Sequence, residues 1–123
     1  MDLTEFLTAR VDEDEAAAKA AAARGGSIWP NSDYENRTPE LEHARRHDPA
    51  RALREVEAKR AILAAHMPGE FGYRQIEILC RTCVTGHYVY MDDDAADPWP
   101  CVTVRALAAI WNGHPDYRDE WKP

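Results

Sequence analysis

The sequence predicts a mainly α-helical fold, with three principal helices and one small β-hairpin. Three observations predict it. Apolar residues recur at helical spacing from Leu3, through the stretch around Val56, and again from Cys101 to Trp111. The stretch from about 73 to 91 switches to strand-forming residues in alternating patterns. The segment between residues 25 and 38 is crowded with Gly, Pro, Asn, Asp and Ser, which favour turns and break helices.

Helix one spans about 2–24. Asp2 is placed to cap the first free backbone N–H groups, and Glu5, three residues on, is placed to reach back to it. Leu3, Phe6, Leu7 and Val11 fall at i, i+3, i+4 and i+8 and make one apolar stripe, which runs on into the alanines at 16–18 and 20–23. Gly25-Gly26 ends the helix. The run Asp12-Glu13-Asp14-Glu15 suggests a metal cluster only at first sight. Consecutive helical residues fan out by roughly 100° each, so those carboxylates form a solvated face and cannot converge.

The loop at 25–38 carries Ile28 and Trp29, which are expected to pin it to the core. Helical structure resumes over about 39–66, first as a short turn at Thr38-Pro39 and then more strongly at Asp48-Pro49. There aspartate serves as N-cap, and proline takes the first helical position, where its missing N–H costs nothing. Arg51 with Glu55, and Glu55 with Lys59, are i, i+4 pairs on the outer side, while Leu53, Val56, Leu63 and His66 lie on the inner one. After Met67-Pro68-Gly69 come the two expected strands, Arg74–Cys80 and Gly86–Met91, joined by the turn between Cys80 and Gly86. The last helix spans about 101–112 and stops at Gly113. The tail 113–123 brings Tyr117 and Trp121 back as packing anchors. No repeat or linker divides the chain, so 1–123 reads as a single domain.

Composition narrows the function classes. A formal charge of −7 disfavours generic attraction to nucleic acid or anionic membrane, and no run of about 18 apolar residues is present to span a bilayer. The N-terminal residues lack the basic and apolar regions of a secretory leader, and an odd count of three cysteines fits a reducing compartment, so a cytoplasmic protein is expected.

The chemistry concentrates in the cysteines. Cys80-Arg81-Thr82-Cys83 is a C-x-x-C, whose tight turn presents two thiolates to one tetrahedral ion. Cys101, where a helix begins, is a third thiol, favoured as thiolate by the helix N–H groups. The fourth ligand is His66 or His87. His66 is preferred because it faces inward and joins a distant segment, whereas His87 would complete a knuckle locally. The expected cofactor is therefore a structural zinc ion held by Cys80, Cys83, Cys101 and His66, which makes the hairpin zinc-knuckle-like. The bland alternative is three buried cysteines acting as small hydrophobes. A thioredoxin-like redox pair fits poorly, since a helix should follow that motif and strand formers follow here.

The run His47-Asp48-Pro49-Ala50-Arg51-Ala52-Leu53-Arg54-Glu55-Val56-Glu57-Ala58-Lys59-Arg60 resembles an uncharacterised small-protein family of high-GC bacteria and their phages. So do the opening Phe6–Glu15 and the close, Cys101–Ala108 followed by His114–Trp121. The resemblance covers most of the chain, implies cysteines placed before the last helix, and carries no assigned activity or catalytic residues.

A regulatory or binding module engaging a protein partner is the expected role. Arg45, Arg46, Arg51 and Arg54 make the central helix a candidate phosphate-contacting surface, so a nucleic-acid-binding regulator is the runner-up. A homodimer through the alanine-rich face of helix one is a further candidate. Enzymatic activity is disfavoured, because no G-x-S-x-G, P-loop or H-E-x-x-H appears. Asp92, Asp94 and Asp97 lack the glycine and distal glutamate of a calcium loop.

Overall fold

The structure, a computed structural model, describes residues 1–25, 38–70, 78–83 and 98–123. It is mostly helical, with one small two-stranded antiparallel sheet, in agreement with the predicted fold class. The helices are α1 (Leu3–Ala23), α2 (Pro39–Arg46), α3 (Pro49–Ala65) and α4 (Val102–Ala108), and the strands are β1 (Pro68–Glu70) and β2 (Ile78–Cys80). Two single 3₁₀ turns follow, at Ala109–Trp111 and Asp119–Trp121.

The helix starts are where their capping residues put them. The Asp2 carboxylate accepts from the Glu5 N–H at 2.8 Å while the Glu5 carboxylate accepts from the Asp2 N–H at 2.8 Å, a complete capping box. Thr38 caps α2 by accepting from the Leu41 N–H at 3.3 Å, with proline at the first helical position. Asp48 caps α3 by accepting from the Arg51 N–H at 2.7 Å. Beyond the C-terminal end of α1, Gly25 takes φ 104°, a left-handed conformation that closes the helix and suits glycine.

The described sheet includes a strand that the sequence reading does not predict. β2 lies at the end of the first predicted strand, and it pairs with β1, in the register Pro68↔Cys80, Gly69↔Leu79 and Glu70↔Ile78. Pro68-Gly69 reads locally as a helix breaker, and proline is tolerated at the first position of an edge strand, so composition hides this strand. The second predicted strand, 86–91, lies outside the described residues, as do Ile28 and Trp29. On its other side Leu79 forms an antiparallel bridge with Pro98, which carries the chain toward Cys101 beside Cys80.

The chain divides into two compact units. One comprises Met1–Thr8 and Lys59–Pro123, the other Ala9–Ala58. In the first, Leu3, Phe6, Leu7, Cys80, Cys101, Val104, Ala108 and Trp121 form a buried cluster. Phe6 is its centre: Trp121, His114 and Tyr117 stand around the ring at centroid distances of 5.0, 5.6 and 6.1 Å. Trp121 is thus part of the core and Tyr117 packs against it, as the sequence predicts for these two anchors. Lys59 Nζ sits 4.8 Å over the Trp111 ring, a cation–π contact. In the second unit Val11, Ala18 and Val56 are buried, and Arg10, 7% exposed, pairs with Glu13 at 2.6 Å. No residue of α2 is buried.

Candidate metal centre

Each side chain of the centre is delivered by a different local device. α3 runs on through His66, whose N–H donates to the Ile62 carbonyl at 3.0 Å, so the ring is fixed to the last helical turn. β2 ends at Cys80, and the turn Arg81–Cys83 presents the second thiol. That turn is tied to the end of α3 twice. The Arg81 N–H donates to the Met67 carbonyl at 3.0 Å, and the Thr82 hydroxyl donates to the Ala65 carbonyl. Cys101 is the N-cap of α4, brought in by the bridge at Pro98.

The structure thereby brings together Cys80, Cys83, Cys101 and His66, the four residues singled out from sequence, with their ligand atoms all within 4.8 Å of one another. His66 Nδ1 is the focus, lying 3.3 Å from Cys80 Sγ and 3.6 Å from both Cys83 Sγ and Cys101 Sγ. His87 lies outside the described residues.

These lengths can be tested against a bound ion. Zinc with bonds of about 2.3 Å to sulfur and about 2.0–2.1 Å to nitrogen has tetrahedral N···S edges of about 3.6 Å. The three observed separations match that edge to within a few tenths of an ångström. Hydrogen bonding alone accounts for them poorly. An imidazole Nδ1 either accepts one hydrogen or donates one, and three sulfurs converge on it. The group is therefore one that could hold a metal ion such as zinc.

The electrostatics point the same way. Burial pushes the Cys80 thiol up, but the backbone N–H groups of Cys83 and Thr82, with the neighbouring thiols of Cys101 and Cys83, outweigh it and leave the group below the usual range. Burial also pushes the Cys83 thiol up, here reinforced by the Cys80 and Cys101 sulfurs, to about 12. Without a cation the cluster thus eases ionisation at Cys80 and opposes it at Cys83. A divalent ion removes the conflict by deprotonating all of its thiol ligands.

One expectation changes in detail. Cys101 occupies the helix N-cap, but its side chain makes no capping hydrogen bond; its sulfur is directed to His66 and not to the N–H groups of α4. Two supports were hidden from sequence reasoning. Thr82, inside the C-x-x-C, carries no signal of a tertiary role, and β1 is masked by Pro68-Gly69. Arg45, Arg46, Arg51 and Arg54 lie on α2 and α3 in the other unit. Arg46 pairs with Glu42 at 3.2 Å and Arg51 with Glu55 at 2.7 Å. Among the described residues Arg45 and Arg54 have no ion-pair partner. No described helix is long and apolar enough to cross a membrane.

Comparison with known proteins places the chain by sequence. It belongs to a family of unknown function (DUF6221), whose model matches residues 1–123. No curated protein and no solved structure matches it.

Proposed function

We propose, for this member of a family without an assigned function, that His66, Cys80, Cys83 and Cys101 hold one structural zinc ion, and that the unit so fastened is a binding or regulatory module for a protein partner. The observation that carries the zinc reading is the convergence of three sulfurs on His66 Nδ1 at tetrahedral edge lengths. Three cysteines and one histidine fill all four positions, leaving none for an activated water, so the ion's role is to join segments and not to catalyse. A cytoplasmic setting belongs to the same reading, because the ligands are needed as reduced thiols and none of the three cysteines is in a disulfide. Val102 and Ile110, 49% and 57% exposed, support a partner of apolar surface chemistry.

The zinc reading is tested by chelation. Removing the ion with a strong chelator is expected to lower the melting temperature by about 10 °C or more, restored by zinc and not by magnesium. An unchanged melt after verified metal loss contradicts a structural role.

The second reading, a nucleic-acid-binding regulator, is favoured by Arg45 and Arg54 being without ion-pair partners among the described residues. Arg46 and Arg51 are already held by glutamates, and the formal charge of −7 opposes it. It requires binding that weakens steeply with salt and is lost in Arg51→Glu with Arg54→Glu; salt-independent binding excludes it.

A further inference from the structure

The ligands of the centre are unequally protected. Cys80 and Cys101 are 0% exposed, whereas Cys83 is only half-buried. A small oxidant arriving from solvent therefore meets one sulfur first. The nearest thiol in sequence, Cys80, lies across the two-residue turn from it, and the sulfurs of both stand within 4.8 Å of each other.

Building on the zinc reading above, we propose that Cys83 is an oxidation site for hydrogen peroxide or a similar hydroperoxide, with Cys80 as its resolving partner. Zinc keeps both as thiolates. The Cys83 sulfur attacks one peroxide oxygen: the S–O bond forms, the O–O bond breaks, and the departing hydroxide takes up a proton to become water. The sulfur loses two electrons and the peroxide gains them, giving a sulfenic acid. Cys80 then attacks that sulfur; the S–S bond forms, the S–O bond breaks, and a second hydroxide leaves and is protonated to water. In sum, two thiolates, one peroxide and two protons give one disulfide and two waters.

Zinc is then left with Cys101 and His66, half of its ligand set, and dissociates. The mechanical consequence follows from where the bonds lie. The ion ties the end of α3, the end of β2 and the start of α4 at one point, while a Cys80–Cys83 disulfide closes a loop inside a single turn and constrains nothing between those segments. Oxidation thus converts a three-segment clamp into a local ring and loosens the unit around it.

The test uses the full chain purified reduced and without chelator, its zinc content measured before any oxidant is added. Graded hydrogen peroxide is expected to release zinc to a chromogenic chelator while free thiols fall from three to one per chain. Peptide mapping is expected to find the disulfide between Cys80 and Cys83, and reductant with zinc should restore the starting state. Cys83→His, which keeps four ligands and removes the accessible sulfur, is expected to slow release at least tenfold. A disulfide involving Cys101, or zinc release from Cys83→His as fast as from the native chain, overturns the proposal; so does retention of zinc at peroxide levels that oxidise free cysteine. The mapping on native protein decides the matter even where the variant folds poorly. A preparation holding no zinc before peroxide is added overturns the underlying metal reading and is recognised as that separate failure.

Discussion

His66 Nδ1 receives three sulfurs at 3.3–3.6 Å, and this convergence has a direct consequence for substitution. His66→Ala or Cys101→Ser leaves three ligands for an ion that needs four, so zinc affinity is expected to fall by several orders of magnitude, read by competition with a chelating dye. Thr82→Val keeps every ligand but removes the hydroxyl that donates to the Ala65 carbonyl. It is expected to cost about 1 kcal/mol in denaturant melts while zinc remains bound. Tyr117 offers the opposite case: its buried hydroxyl has no hydrogen-bond partner among the described residues. Tyr117→Phe is therefore expected to be neutral or to stabilise by up to about 1 kcal/mol, and a loss larger than that would show that the hydroxyl does find a partner.

Among the elements, those set by neighbours in sequence are the ones the sequence makes legible. The Asp2/Glu5 box, the Asp48-Pro49 start and the Gly25 end each depend on residues within one turn, and each is found where its residues place it. Asp48→Ala should accordingly cost about 1 kcal/mol of stability in thermal melts, with Asp48→Asn restoring most of it because the amide oxygen still accepts the Arg51 N–H. β1 shows the limit. Pro68 and Gly69 have no strand propensity, and they pair only because β2 runs alongside them, a fact of tertiary arrangement. The four clustered residues were readable for a similar reason in reverse. C-x-x-C is a local spacing, Cys101 marks a helix start, and His66 lies on the inner stripe of α3. Their common focus on Nδ1, and the tether from Thr82, depend on contacts between residues far apart in sequence.

At the scale of the whole molecule, the candidate metal centre and the aromatic cluster share one buried core within the first compact unit. Cys80 and Cys101 belong to the buried cluster that contains Phe6 and Trp121, so ligand placement and core packing are coupled. Trp121→Ala, which empties a site 5.0 Å from the Phe6 centroid, is expected to cost about 3–5 kcal/mol. It should also weaken zinc retention during heating, although Trp121 is no ligand. On the zinc reading proposed above, a chain of this size is expected to draw a large share of its stability from such a clamp.

The most direct measurement is the metal content of protein purified without chelator, by elemental mass spectrometry, in the native chain, His66→Ala and His87→Ala. The account predicts one zinc per chain in the native protein and in His87→Ala, and loss of zinc in His66→Ala. Absence of metal from the native chain with three freely titrating thiols, or zinc kept by His66→Ala and lost from His87→Ala, would contradict it.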